Sequence, residues 1–219
     1  MTAADTASPT LARAERAALC DLFDEVGPDA PTLCAGWTAR DLAAHLVIRE
    51  RRADASIGIV AKPLAGWTER VQAGEAKREW ADLVGRVRDG APWYSAFSIG
   101  KVDEMANGAE YFIHHEDVRR AAEGWEPRVL SDRDERFLWA VVSKRGSAFF
   151  KSAPVGVTLR TPEGREAVAK ASEPGRTVVI TGPPSELALF AFGRKDHARV
   201  EFTGEPGAID ELRGTSLGI

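Results

Sequence analysis

The residues best suited to chemistry are the histidines, of which the chain has only four: His45, His114, His115 and His197. His114 follows Glu110 by four positions, so on a helix the two side chains lie on one face, one turn apart. Asp117 continues the same face. A carboxylate and an imidazole presented together in this way are typical ligands of a divalent metal.

His45 is the predicted third ligand. It lies within an apolar helical stretch, residues 42–48, so its ring should point into a helical bundle. Together with Glu110 and His114 it makes a three-ligand set that leaves a coordination position open, as a catalytic zinc requires. Asp41, one turn earlier, is the predicted acceptor that orients the His45 ring.

The spacing alone leaves a second interpretation open. Glu110, His114 and His45 would also satisfy one another by hydrogen bonding inside a bundle without any metal. His115 is turned about 100° from His114 on a helix, which predicts a surface position, a capping role or an outer contact of the site. Tyr111 is a candidate catalytic group or, equally, a packing residue.

Two further residues have open roles. His197 lies in a basic turn, residues 194–197, and is expected to face solvent. Cys34 precedes the Gly36–Trp37 turn, where a place near the site competes with a small apolar role in the core.

The elements that must position these residues are predicted to be helices over the first two-thirds of the chain. Thr38, with Asp41 three residues later, predicts a capped helix start. Apolar spacing and Gly/Pro breaks predict helices over 11–26, 38–57 (ending near Gly58), 67–87 and 102–122, and a fifth that starts at Ser131. These helices predict an N-terminal bundle over residues 1–150.

The pattern changes after about Lys151. Strands are predicted over 155–159, 176–181 and 198–202, and short helices over 185–192 and 207–212. The fold class is therefore a four- or five-helix bundle followed by a small α+β domain over residues 151–219.

Composition limits the possible functions. The net charge of -4 argues against a nucleic-acid binder, and no run of about 20 apolar residues predicts a membrane span. The two cysteines, with no secretory leader pattern, predict reduced thiols in a cytoplasmic protein.

Two blocks carry a resemblance to a known family. Residues 33–46 resemble the Cys-x-Gly-Trp-x-x-x-Asp-Leu-x-x-His block of the mycothiol-dependent maleylpyruvate isomerase family, within the DinB-like superfamily. Residues 110–121 resemble its second block, Glu-x-x-x-His with an acid three residues later, and are most similar to an uncharacterised actinobacterial metal-binding branch. The resemblance implies a DinB-like bundle, a small C-terminal domain, and a divalent metal, usually zinc, on His45, Glu110 and His114. It also implies an assisting arginine in the C-terminal part, for which Arg194 is the candidate.

The resemblance implies an enzyme that binds mycothiol at the open metal position and adds the thiolate to a small electrophilic substrate, giving isomerisation or S-transfer. Two other functions stay open: a metal-binding module without turnover, such as a sensor or sequestration protein, and a hydrolase that uses metal-bound water. The sequence does not give the substrate, the metal used in the cell or the oligomeric state.

Overall fold

The computed structural model describes residues 9–52, 65–93, 98, 100–173 and 175–218. The chain divides into two compact units, residues 1–125 and 126–219. The first unit is helical and the second combines helices with a four-stranded sheet, which confirms the predicted fold class. Among the described residues, no helix has both the length and the apolar character needed to cross a membrane.

The described part of the first unit contains five helices: α1 (Leu11–Val26), α2 (Ala39–Arg51), α3 (Ala65–Glu75), α4 (Trp80–Asp89) and α5 (Gly100–Arg119). Helix α1 packs along α5, and α2 packs on α3 and α4. Their apolar faces form one core, which includes the fully buried Leu19, Phe23, Leu42 and Leu83. The two helices that carry the predicted metal ligands, α2 and α5, are thus fixed by packing.

The start of α2 agrees with the predicted capping signal. The Asp41 carboxylate accepts hydrogen bonds from the backbone N–H of Thr38 at 2.9 Å and from its hydroxyl at 2.8 Å. Helix α2 ends at Arg51, and the predicted extension through residues 53–57 lies outside the described residues. The cap sets where the first turn of α2 begins, and with it the direction of His45.

The single helix predicted over 67–87 was wrong, because the structure has two helices, α3 and α4, separated by a turn at residues 76–79. The guanidinium of Arg40 donates to the carbonyl oxygens of Ala76 and Arg78, at 2.9 and 2.8 Å. This side chain from α2 satisfies carbonyls that the break leaves without helical partners. The apolar periodicity of residues 67–87 could not predict this contact, because Arg40 belongs to another helix.

The second unit contains α6 (Asp132–Phe149), β1 (Gly156–Arg160), β2 (Glu166–Lys170), β3 (Thr177–Thr181), α7 (Pro184–Ala191), a 3-10 turn (Lys195–His197), β4 (Glu201–Thr203) and α8 (Pro206–Gly214). The strand order is β2-β1-β3-β4; β1 and β3 are parallel, and the outer pairs are antiparallel. Strand β2 was missed from the sequence, since its Val168 is exposed and its pairing depends on β1. Helix α6, assigned to the bundle from the sequence, packs on α7 and β2 and so groups with the second unit.

Helix α6 approaches β2 closely at Gly146. A Cβ placed there would lie 2.8 Å from Ala169 Cβ and 3.0 Å from Ala169 Cα. Replacing Gly146 with alanine should therefore lower the free energy of unfolding by about 1–3 kcal/mol, through overpacking. The matched control is Gly85→Ala in α4, where nothing lies within 4 Å of the added Cβ and the change should stabilise by about 0.5–1 kcal/mol. Urea unfolding of both variants measures the two effects, and equal effects would contradict the proposed contact.

Candidate metal centre

The three predicted ligands come together between α2 and α5. His45 Nε2 lies 3.6 Å from Glu110 Oε1, and His114 Nε2 lies 3.2 Å from the same oxygen. The ligand atoms of all three residues fall within 4.8 Å of one another. The two imidazole rings meet edge to face, with their centroids 5.4 Å apart.

The donor set fits a zinc-like cation. A tetrahedral ion with bonds of about 2.0–2.1 Å separates its donor atoms by roughly 3.3 Å. The observed distances of 3.2 and 3.6 Å from Glu110 to the two histidines match that separation. Two imidazoles and one carboxylate are also ligands that zinc prefers. The geometry therefore permits a metal here, with Glu110 as the shared anionic donor.

Arg49, one turn after His45 on α2, fixes the Glu110 carboxylate. Its Nε lies 3.3 Å from Glu110 Oε1, while the two terminal nitrogens donate to Asn107 Oδ1 and to the carbonyl oxygen of Ala106. Burial by itself favours the protonated carboxyl, but hydrogen bonds from His114 and His45 and the charge of Arg49 outweigh it. They hold the pKa of Glu110 well below its usual range. The carboxyl group is therefore ionised, as a ligand must be.

Asp117 orients His114. Its Oδ2 lies 2.9 Å from His114 Nδ1, and Asp117 is fully buried. Because a carboxylate can only accept, Nδ1 carries a proton in this contact, and Nε2 is the nitrogen that faces Glu110. Cys34 Sγ donates to the same Oδ2 at 3.2 Å. Burial lowers the pKa of His114, but the hydrogen bonds with Asp117, Cys34 and Glu110 outweigh it and hold this pKa well above its usual range.

His45 has a different environment. The Trp37 ring lies beside it, with centroids 5.2 Å apart, and burial lowers the pKa of His45. A neutral ring offers a lone pair for coordination. The prediction that Asp41 orients this ring was wrong, because the Asp41 carboxylate accepts from the backbone N–H and the hydroxyl of Thr38 at the start of α2.

The surface position expected for His115 was also wrong. His115 is buried, and its Nδ1 lies 2.7 Å from Glu15 Oε2 on α1. It faces α1, away from the ligand set, as the 100° turn along the helix implies. The pair joins α1 and α5 by a buried polar contact.

The two residues predicted to be catalytic, Tyr111 and Arg194, belong to different units of the chain. Tyr111 is fully buried in the core of the first unit, and Arg16 lies over its ring at 4.6 Å from the centroid. Arg194 belongs to the second unit, where its Nη1 donates to the Phe192 carbonyl oxygen at 2.7 Å. His197, in the 3-10 turn of the same unit, is half-buried. Catalytic roles for Tyr111 and Arg194 stay predictions.

Arg49 is the site residue that the sequence analysis missed. Its position one turn after His45 was a usable signal, since residues four apart on a helix are neighbours. The contacts of Cys34 and Asp117, whose roles the sequence left open, needed the packing of the loop before α2 against α5.

Comparison with known proteins identifies a family and a shared fold. The family model described as "Mycothiol maleylpyruvate isomerase N-terminal domain" matches residues 10–143, which include all three predicted ligands and end within α6. No curated protein matches the chain. The predicted domain boundary near residue 150 stays a prediction, since the match to the family ends at residue 143 and the two compact units divide at residue 125.

Two solved structures share the fold. One is the crystal structure of the mycothiol-dependent maleylpyruvate isomerase, which is 17% identical and has a TM-score of 0.60 over 89% of this chain and 91% of that chain. The other is a histidine-to-alanine mutant of the mycothiol-dependent maleylpyruvate isomerase, with 16% identity, the same TM-score and the same coverage. At this level of identity, the two structures support the fold.

Proposed function

The chain belongs to the family of mycothiol maleylpyruvate isomerase N-terminal domains, and on that basis we propose that it is a metal-dependent enzyme that uses a low-molecular-weight thiol. The thiol is mycothiol, and the reaction is isomerisation of a small electrophilic substrate or transfer of the thiol to it. The observation that carries the proposal is the convergence of His45, Glu110 and His114 on one point.

Those three residues would hold the metal, with zinc as the proposed ion. A divalent ion held by three protein ligands can bind a thiol at its open position and lower the pKa of that thiol, which favours the nucleophilic thiolate. The protein prepares the ligands for this task. Arg49 places a positive charge 3.3 Å from Glu110 Oε1, and Asp117 keeps Nε2 of His114 directed towards the site.

Metal analysis and thiol titration together test the proposal. The purified protein should contain about one divalent ion per chain, and His45→Ala should contain almost none, because a ligand is lost. Calorimetry should show mycothiol binding to the metal-loaded protein and none to the chelator-treated protein. His197→Ala, which removes a histidine of the second unit, is the matched control and should retain the metal.

Each negative result has a distinct meaning. A wild-type protein that binds no divalent ion would overturn the metal site. A protein that binds the ion but not mycothiol would be a metal-binding module of another function. If the metal-loaded protein hydrolyses a small substrate in the absence of any thiol, the result would favour a hydrolase that uses metal-bound water.

A further inference from the structure

The loop that precedes α2, residues 31–38, has a fixed conformation. Pro31 and Thr38 pair as an isolated antiparallel bridge at its two ends. Inside the loop, Thr32 Oγ1 donates to the Trp37 carbonyl oxygen at 2.9 Å and accepts from the Cys34 N–H at 3.2 Å. Gly36 turns the chain at a φ of 78°, a conformation that disfavours other residues. The loop is therefore held by its own hydrogen bonds.

Residues of this loop contact His45 directly and also contact Asp117, which is hydrogen-bonded to His114. Trp37 lies beside the ring of His45, at 5.2 Å between centroids. On the other side, Cys34 Sγ donates to Asp117 Oδ2 at 3.2 Å, and the backbone N–H of Leu33 donates to the Asp117 carbonyl oxygen at 3.0 Å. Two bonds from neighbouring loop residues thus hold Asp117, one on its side chain and one on its backbone.

We propose that Cys34 is a positioning residue which, mainly through Asp117, holds His114 in the orientation that binds the metal. The inference rests on the proposed function in that His114 is a metal ligand. One oxygen, Asp117 Oδ2, accepts from both Cys34 Sγ and His114 Nδ1. The thiol therefore holds in place the same atom that fixes the His114 ring and leaves Nε2 directed at Glu110. Groups that hold a ligand in this way contribute to metal affinity without touching the metal.

Direct ligation by Cys34 is the competing interpretation. Ligand atoms of Cys34, His114 and Asp117 also lie within 4.8 Å of one another. Binding a metal there would require His114 Nδ1 to lose its proton and its hydrogen bond to Asp117. In the structure Nδ1 lies 2.9 Å from Asp117 Oδ2, which is shorter than the roughly 3.3 Å between donors of a tetrahedral zinc, whereas Nε2 lies 3.2 Å from Glu110 Oε1. The geometry thus favours a positioning role.

A double-mutant cycle in metal affinity tests the proposal. Competition with a chromophoric chelator gives the zinc affinity of the wild type, Cys34→Ala, Asp117→Asn and the double variant. Cys34→Ala should bind zinc about tenfold more weakly, and Asp117→Asn about 10- to 100-fold more weakly. Because Cys34 acts through Asp117, adding Cys34→Ala to Asp117→Asn should cause little further loss.

The conservative variant Cys34→Ser should restore the zinc affinity that Cys34→Ala loses. Its hydroxyl can donate to Asp117, so its zinc affinity should stay close to that of the wild type. Thermal unfolding of each chelator-treated variant shows whether the fold is intact. Equal losses in Cys34→Ala and Cys34→Ser, or additive losses in the double variant, would overturn the positioning role.

Cobalt substitution separates positioning from ligation. The cobalt-loaded wild type should show no thiolate-to-cobalt charge-transfer band; a band that disappears in Cys34→Ser would make Cys34 a ligand and overturn the proposal. If the wild type binds zinc while Cys34→Ala binds it equally well, only the role of Cys34 fails. If the wild type binds no divalent ion, the proposed function fails as well.

Discussion

Replacing Glu110 with glutamine is expected to weaken zinc binding by more than about 100-fold, beyond the 10- to 100-fold caused by losing groups that only orient a ligand. Glu110 Oε1 is the atom that His45, His114 and Arg49 all approach, at 3.6, 3.2 and 3.3 Å. Glutamine keeps the shape of the side chain but removes the charge. Two neutral imidazoles would then face a divalent ion beside the positive charge of Arg49 without an anionic ligand. Chelator competition at neutral pH measures the loss.

Glu116→Gln is the matched control for this experiment. Glu116 lies on the same helix and is fully buried, and its Oε2 pairs with Arg120. Neutralising it should lower the free energy of unfolding by about 3–5 kcal/mol, because Arg120 loses a buried ionic partner. Zinc affinity of the folded protein should not change. A similar loss of zinc affinity in both variants would mean that Glu110 acts through the fold and not as a ligand.

Replacing Arg16 with leucine is expected to lower the free energy of unfolding by about 3–5 kcal/mol, the cost of removing one partner from a buried ionic contact. Arg16 Nη2 lies 2.6 Å from Glu50 Oε1 and 3.0 Å from Asp103 Oδ1. The Asn107 amide donates to the same two oxygens, each at 2.8 Å. Burial raises the pKa of Glu50, and the variant removes the positive charge of Arg16 from beside two buried carboxyl groups. Urea unfolding of the chelator-treated protein measures the change.

The chain provides a closely matched control in Arg88. It also pairs with two carboxylates, Asp21 at 2.7 Å and Asp24 at 2.8 Å, but all three side chains are well exposed. Arg88→Leu should therefore cost less than about 1 kcal/mol. The difference between the two variants isolates burial as the cause. Equal effects would contradict the assignment of Arg16 to a buried network that holds α1, α2 and α5 together.

The features predicted correctly from the sequence depend on neighbours within about one turn. Helix α1 has the predicted bounds, and α2 begins at the predicted cap on Thr38. The pairing of Glu110 with His114 follows from helical spacing, and in the structure the two side chains are 3.2 Å apart. These interactions need no knowledge of which helices pack together.

Asp41 shows how two local expectations can conflict. The sequence predicted it both as a cap of α2 and as the group that orients His45, and its carboxylate is used for the cap. A cap satisfies backbone N–H groups that would otherwise lack partners, and it is available as soon as the helix begins. The conflict was therefore visible in the sequence, and the local partner was the better prediction.

The sequence alone was enough to predict His45, Glu110 and His114 as ligands, because their side-chain types and the i, i+4 spacing of the last two restrict the possible chemistry. The tertiary structure decided what surrounds them: Asp117 with Cys34 behind it, Arg49 against Glu110, and His115 turned towards α1. The contacts of Cys34 with Asp117 and of His115 with Glu15 join residues 83 and 100 positions apart. Such contacts depend on how one helix is rotated and shifted against another, which is set by the packing of side chains across the whole interface.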